Sequence, residues 1–228
     1  MDDNQDQANT PIFRRLYERV FPTVADFFGM LAQQSTNAAE TTRLLKAETA
    51  AGGLVTTSLH PGHITGPGWH PIGPLGNLDP TLWHSLSAGA PIEVPGIGAE
   101  FMHHVHADDV AQAFELAVTH RDAAAGEDFS VVAPSALNVR GYAHLAASWF
   151  GREADLRSVT WDEFRDSTSA DLYESSWNHL SRDHYLSIDK ARTRLGYAPR
   201  YEPEAAILEA VRWLVDHDRL DVATPLVV

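Results

Sequence analysis

Two histidine clusters are the first residues of this chain able to do chemistry. His60, His63 and His70 lie in LHPGHITGPGWHP (59–71), and His103, His104 and His106 lie in HHVH (103–106). Imidazole binds metal ions and exchanges protons near neutral pH. His60 with His63, and His103 with His106, each have an H-x-x-H spacing, and Asp108 and Asp109 follow closely enough to support a ligand. Strand geometry argues against a metal. Neighbouring residues of a strand point to opposite faces, so His103 and His104 cannot both line one site. A metal-dependent or cofactor-free enzyme built on His60, His63, His103 and His106 is therefore the lesser reading, and a pocket without metal ligands is expected. Plainer roles stand beside the chemical ones. His106, just before an acidic pair, suits a hydrogen-bonded structural residue, and Asp109 suits a helix cap as well as a functional carboxylate. Trp69 and Trp83 suit core aromatics, although Trp69 in a glycine-proline loop also fits a cleft wall.

Composition narrows what such a pocket serves. The chain has 228 residues, a net charge of −14 and no cysteine. That length buries a real core. Disulfides, thiolate metal sites and cysteine nucleophiles are excluded. No basic run marks a nucleic-acid face. The start, MDDNQDQANTP, has neither the basic residues nor the apolar stretch of a signal peptide. No apolar run approaches the roughly 20 residues that span a bilayer. A cytoplasmic protein with no nucleic-acid or membrane partner is expected.

The elements that position these residues alternate between β and α, which predicts an α/β fold. Residues 1–9 read as a tail. Thr10-Pro11 opens an apolar helical stripe to Phe21, and VADFFGML (24–31) follows Pro22. Residues 37–51 predict a helix stopped by Gly52 and Gly53. LVTTSLH (54–60) predicts a strand covered on both faces. After the loop, Asp79-Pro80 starts a helix that ends near Gly89, and PIEV, PGIG and EFMHHVH predict strand, turn and strand. A helix from Asp108, a strand in EDFSVVA and a helix over 139–150 come next. The last third is predicted mostly helical, with TWDEFRD, a helix capped by Ser187 and ended by Gly196, and a final helix in EPEAAILEAVRWLVDH.

LVTTSLHPGHITGPG, FMHHVHADDVAQAFELA, and SIDKARTRLGYAPRY with EAAI and VRWL after it, together resemble the NAD-dependent epimerase/dehydratase family of extended short-chain dehydrogenases/reductases. The resemblance spans about residues 37–216 and covers only that family's second half. It implies a partial Rossmann-like parallel sheet lacking the N-terminal dinucleotide-binding strands, joined to a mostly helical C-terminal substrate domain. Residues 1–36 then form a tail with apolar helical segments, and 37–228 form the family unit. By resemblance, Pro61, Gly62 and His63 belong to a nicotinamide-side loop, and His63, Trp69, Asn77, His104 and Tyr197 belong to the substrate side. Tyr197, which follows a helix-ending glycine, also suits packing.

The family's working parts are not all in the sequence. The G-x-x-G-x-x-G loop that lets a helix N-terminus meet a pyrophosphate does not occur. Gly62, Gly66 and Gly68 follow the wrong strand, and Gly96 and Gly98 are expected in a hairpin. The family's Tyr-x-x-x-Lys pair would fall near Gln33 or Gln34 and Asn37 or Ala38, where neither residue type stands. His60 replaces the family arginine before the proline, and Thr65 its loop tyrosine. Met102 takes the place of an arginine that grips a diphosphate, so a small molecule other than a nucleotide sugar is expected. NAD(P) is implied by the family but is not expected to bind this chain alone. The leading reading is a truncated relative that keeps the substrate-binding half without independent redox activity. The alternatives are an enzyme completed by a separate dinucleotide-domain chain that brings the Tyr/Lys pair, and the histidine-based enzyme above. Apolar residues at 12–31 are expected to cover the exposed sheet edge, or else a homodimer does.

Overall fold

The computed structural model describes residues 27–182 and 185–228, with side chains from residue 38 onward. The stripe at 12–21 lies outside the described residues, as do the side chains of 27–37. The Ala- and Glu-rich stretch builds α1 (Phe27–Ala50), and Gly52, at φ 78°, stops it in the left-handed region that favours glycine. The chain then forms β1 (Ser58–Pro61), β2 (His63–Thr65), α2 (Pro80–Ala88), β3 (Pro91–Pro95), β4 (Phe101–Met102) and β5 (His104–His106). Next come α3 (Ala107–Thr119), α4 (Arg121–Ala124), β6 (Asp128–Val131), β7 (Leu137–Asn138) and α5 (Val139–Ser148). The last elements are β8 (Asp155–Val159), α6 (Trp161–Ser167), α7 (Ala170–Leu180), α8 (Asp189–Leu195) and α9 (Pro203–Asp216).

The strands form four two-stranded ribbons. β1 lies parallel to β6, with Ser58 opposite Asp128, so the expected parallel pair exists with β1 starting later than the apolar run. β2 lies parallel to β5 in the register His63–His104 and Thr65–His106. The expected hairpin is corrected. β3 pairs parallel with β8, sixty-odd residues away in the chain, and β4 pairs antiparallel with β7. The stretch 101–106 is therefore not one strand. His103 breaks it, and its two halves join different ribbons.

One of these ribbons is covered by a helix through polar side chains. α1 docks on the β1–β6 ribbon by polar contacts: Thr42 Oγ1 to His60 Nε2 at 3.4 Å, Thr49 to Thr56, and Lys46 paired with Asp128. Lys190 of α8 shares that Asp128, and the paired lysines hold its carboxyl below the usual carboxylate range. β1 itself is only half-buried. That departs from the strand covered on both faces that its composition predicts.

Two apolar clusters fill the interior. One contains Trp83, Tyr142, Trp149, Phe150 and Val211, with Trp83 and Trp149 stacked at a centroid distance of 6.4 Å. The other contains Val105, Phe129, Val131, Leu195 and Tyr197. Met102 belongs to the first and Val105 to the second, so the chain passes between cores at the His103 break.

Candidate functional site

The β2–β5 ribbon carries an unusual amount of polarity for a buried element. Its parallel register and the two-residue alternation of strands put His63, Thr65, His104 and His106 on one face. Thr65 and His104 are fully buried, and His106 is 3% exposed. His103 points the other way. Its Nε2 lies 3.0 Å from the Ala133 carbonyl, and its Nδ1 accepts the Leu186 N–H, which fixes the proton on Nε2.

At one end of this face three histidine rings meet. His63 lies edge-on to His104 at 5.2 Å and to His179 of α7 at 5.0 Å. Tyr142 closes the far side of His104 at 5.3 Å. The Ile72 carbonyl accepts from both the Tyr142 hydroxyl and His104 Nε2, at 3.1 Å each. A carbonyl only accepts, so His104 carries its proton on Nε2 and leaves Nδ1 a bare acceptor. That Nδ1 is buried with no hydrogen-bond partner in the structure. Burial, helped by the neighbouring His103 and His179, lowers the His104 pKa to about 4, so the ring is neutral at physiological pH. Burial likewise pushes the Tyr142 hydroxyl well above its usual range. Around His104 the site therefore offers a buried neutral acceptor of hydrogen bonds at Nδ1, while protonating that ring is costly.

At the other end, His106 is a structural residue. Its Nδ1 accepts the Asp108 N–H at 3.1 Å and caps α3, so it, and not Asp109, fills the capping role. The proton sits on Nε2, 3.0 Å from Glu209 of α9, at an angle that falls short of a hydrogen bond. Tyr201 stacks on the ring at 3.8 Å. Asp109 is fully buried and accepts the N–H groups of Arg200 and Tyr201, which pins the 196–201 turn to α3.

The other expected site residues divide. Trp69 is 56% exposed, on the rim of its loop. Asn77 is buried. Its side chain donates to Ser176 at 2.9 Å and accepts the Asp79 N–H, which holds the 72–79 loop on α7. Tyr197, on the substrate side by resemblance and also suited to packing, does pack: it is fully buried and its hydroxyl donates to the Val132 carbonyl at 3.1 Å. Pro61 is exposed, and Gly62 is packed rather than open. A Cβ on Gly62 would stand 2.1 Å from the His103 carbonyl oxygen, so glycine is there for a close backbone approach. Helices α2, α3, α5, α6 and α7 each close their own N-terminus with a side chain, which leaves them no open amide cradle for a pyrophosphate. Among the described residues no three His, Asp or Glu side chains gather closely enough to hold a metal ion. His179 was invisible to sequence reasoning, since WNHL has no motif and only the fold of α7 brings it to His63.

Residues 38–132 match the NAD dependent epimerase/dehydratase family. The chloroplast stem-loop binding protein of 41 kDa b from Arabidopsis thaliana is 28% identical over 165 residues, which are 72% of this chain and 39% of that protein. Among solved structures, an epimerase from Methanothermobacter thermautotrophicus matches with TM-score 0.56 and 17% identity, over 77% of this chain and 48% of its own. The dTDP-glucose 4,6-dehydratase DesIV of Streptomyces venezuelae, with NAD and TYD bound, matches with TM-score 0.56 and 22% identity, over 78% of this chain and 49% of its own. The UDP-glucose 4-epimerase of Thermotoga maritima, with UDP-glucose, gives TM-score 0.55 and 20% identity over 78% and 52%. The chain therefore spans about half the length of these solved relatives.

Proposed function

We propose, for a chain whose residues 38–132 match the NAD dependent epimerase/dehydratase family, that it supplies the substrate side of that fold and holds a small, weakly charged molecule beside His63, His104 and His179. The contact of these three rings carries the reading, since it joins His63 and His104, on the loop and strand that the family resemblance assigns to substrate, with His179. Met102, fully buried in the first core, offers nothing to a diphosphate. The dinucleotide does not fit the described residues, which show no glycine-lined amide cradle, and the sequence carries no Tyr-x-x-x-Lys pair at its expected place. Hydride transfer by this chain alone is not part of the proposal. A net charge of −14 argues against carrying the relative's stem-loop binding over to this chain. No helix among the described residues is long and apolar enough to cross a membrane.

Calorimetric titration tests the reading. NAD and UDP-glucose are expected to give no heat, while a panel of small neutral polyols and keto sugars gives at least one ligand that His63→Ala weakens tenfold or more. Tight NAD binding by this chain would falsify the proposal, and so would a ligand indifferent to His63. Turnover appearing only when a separate dinucleotide-domain chain is added would replace it with a two-chain enzyme.

A further inference from the structure

The edge of β1 that faces away from β6 carries backbone groups with nothing to bond among the described residues. Ser58 donates its N–H to Glu127 and Gly62 donates its N–H to Val131, so residues 58, 60 and 62 turn towards β6. Alternation along the strand turns Thr57, Leu59 and Pro61 the other way. No strand of the described residues lies on that side. The approach is apolar as well, with Leu54 57% and Val55 44% exposed just before the strand.

Soluble proteins ordinarily guard such an edge with charge, a bulge or a covering element, and parallel strands are ordinarily covered on both sides. Here LVTTSLHP (54–61) contains no Asp, Glu, Lys or Arg in a chain whose net charge is −14. This is the stretch where two copies of an acidic protein can meet without charge repulsion. We propose that β1 pairs antiparallel with β1 of a second copy about a two-fold axis through Leu59. The two Leu59 residues then exchange N–H and C=O bonds. Each Thr57 N–H reaches the carbonyl of the opposing Pro61, which has no N–H to return. Each Leu54-Val55 pair lies at a flank of the joined ribbon. Such an interface is self-complementary and closes on itself, so assembly stops at the dimer. It needs neither a ligand nor the three-histidine cluster, and its failure would leave the proposed function standing.

The absence of cysteine makes the register directly readable. Opposed residues of a hydrogen-bonded antiparallel pair stand about 5.5 Å apart at Cα, within disulfide reach. Thr57→Cys and Pro61→Cys chains, mixed under mild oxidation, are expected to give a cross-linked dimer that neither gives alone. The unmodified chain is expected to sediment at twice the monomer mass. The double variant Leu54→Lys/Val55→Lys, with an unchanged circular dichroism spectrum, is expected to raise the dissociation constant at least tenfold. A monomeric chain, a dimer whose mixed variants fail to cross-link, or a dimer indifferent to both lysines overturns the proposal.

Discussion

His104 shows what burial does to a titrating residue. Its pKa in the fold is about 4, below the ordinary histidine value of 6.5. The unfolded chain therefore binds the extra proton first. The stability that the neutral ring confers is complete above pH 6.5 and is lost as pH falls from there towards 4, a difference on the order of 3 kcal/mol. Denaturant titrations across that window should show stability falling with acid, with a distinctly flatter fall in His104→Phe. An equal slope in both proteins would place the protonation elsewhere. Tyr197 makes the complementary case. Removing its hydroxyl in Tyr197→Phe strands the buried Val132 carbonyl and should cost about 1–2 kcal/mol, with ligand affinity unchanged. A loss of affinity at constant stability would return it to the substrate side that the family resemblance implies.

Among the elements, the helices and the β1–β6 pair were legible, because their signals are local. Asp79-Pro80 and Ser187 flank helix starts, Gly89 and Gly196 end helices in the left-handed region, and the apolar stripe of α9 faces a core. The pairing of β3 was misread because the turn residues of PGIG are local while its partner β8 is distant. DLRSV also carries no apolar signal, being mostly exposed. The same limit hid His179, whereas His63 and His104 announced themselves in one stretch each. His106 was readable as structural, but its role as cap of α3 needed the backbone. His106→Ala should cost about 2 kcal/mol or more by losing the cap and the Tyr201 stack, and His106→Asn should recover roughly 1 kcal/mol by restoring the cap alone. Thermal unfolding of the three proteins checks this, and an Asn variant no better than Ala would mean that the cap contributes nothing.

Across the whole molecule, two cores share one set of connections. α9 places Ile207 and Val211 in the first core, while Glu209 of the same helix reaches His106 on the ribbon of the second. A helix with both attachments should make the cores unfold together. Phe150→Ala in the first core and Phe129→Ala in the second should each lower a single thermal transition by about 3–5 kcal/mol in stability. Two separate calorimetric peaks in either variant would show that the cores are independent.

The register of β1 with β6 also sets a timetable. Ser58 waits for Asp128, 70 residues later in the chain, and no other strand of the described residues stands in for it meanwhile. At synthesis rates of about 5–20 residues per second, that is roughly 4–14 s. During this interval an uncharged β-rich segment leaves the ribosome with both sides unsatisfied. A chaperone that binds uncharged β-rich segments would have that interval in which to act, and slow codons between 62 and 127 would lengthen it without changing a single residue of the finished protein.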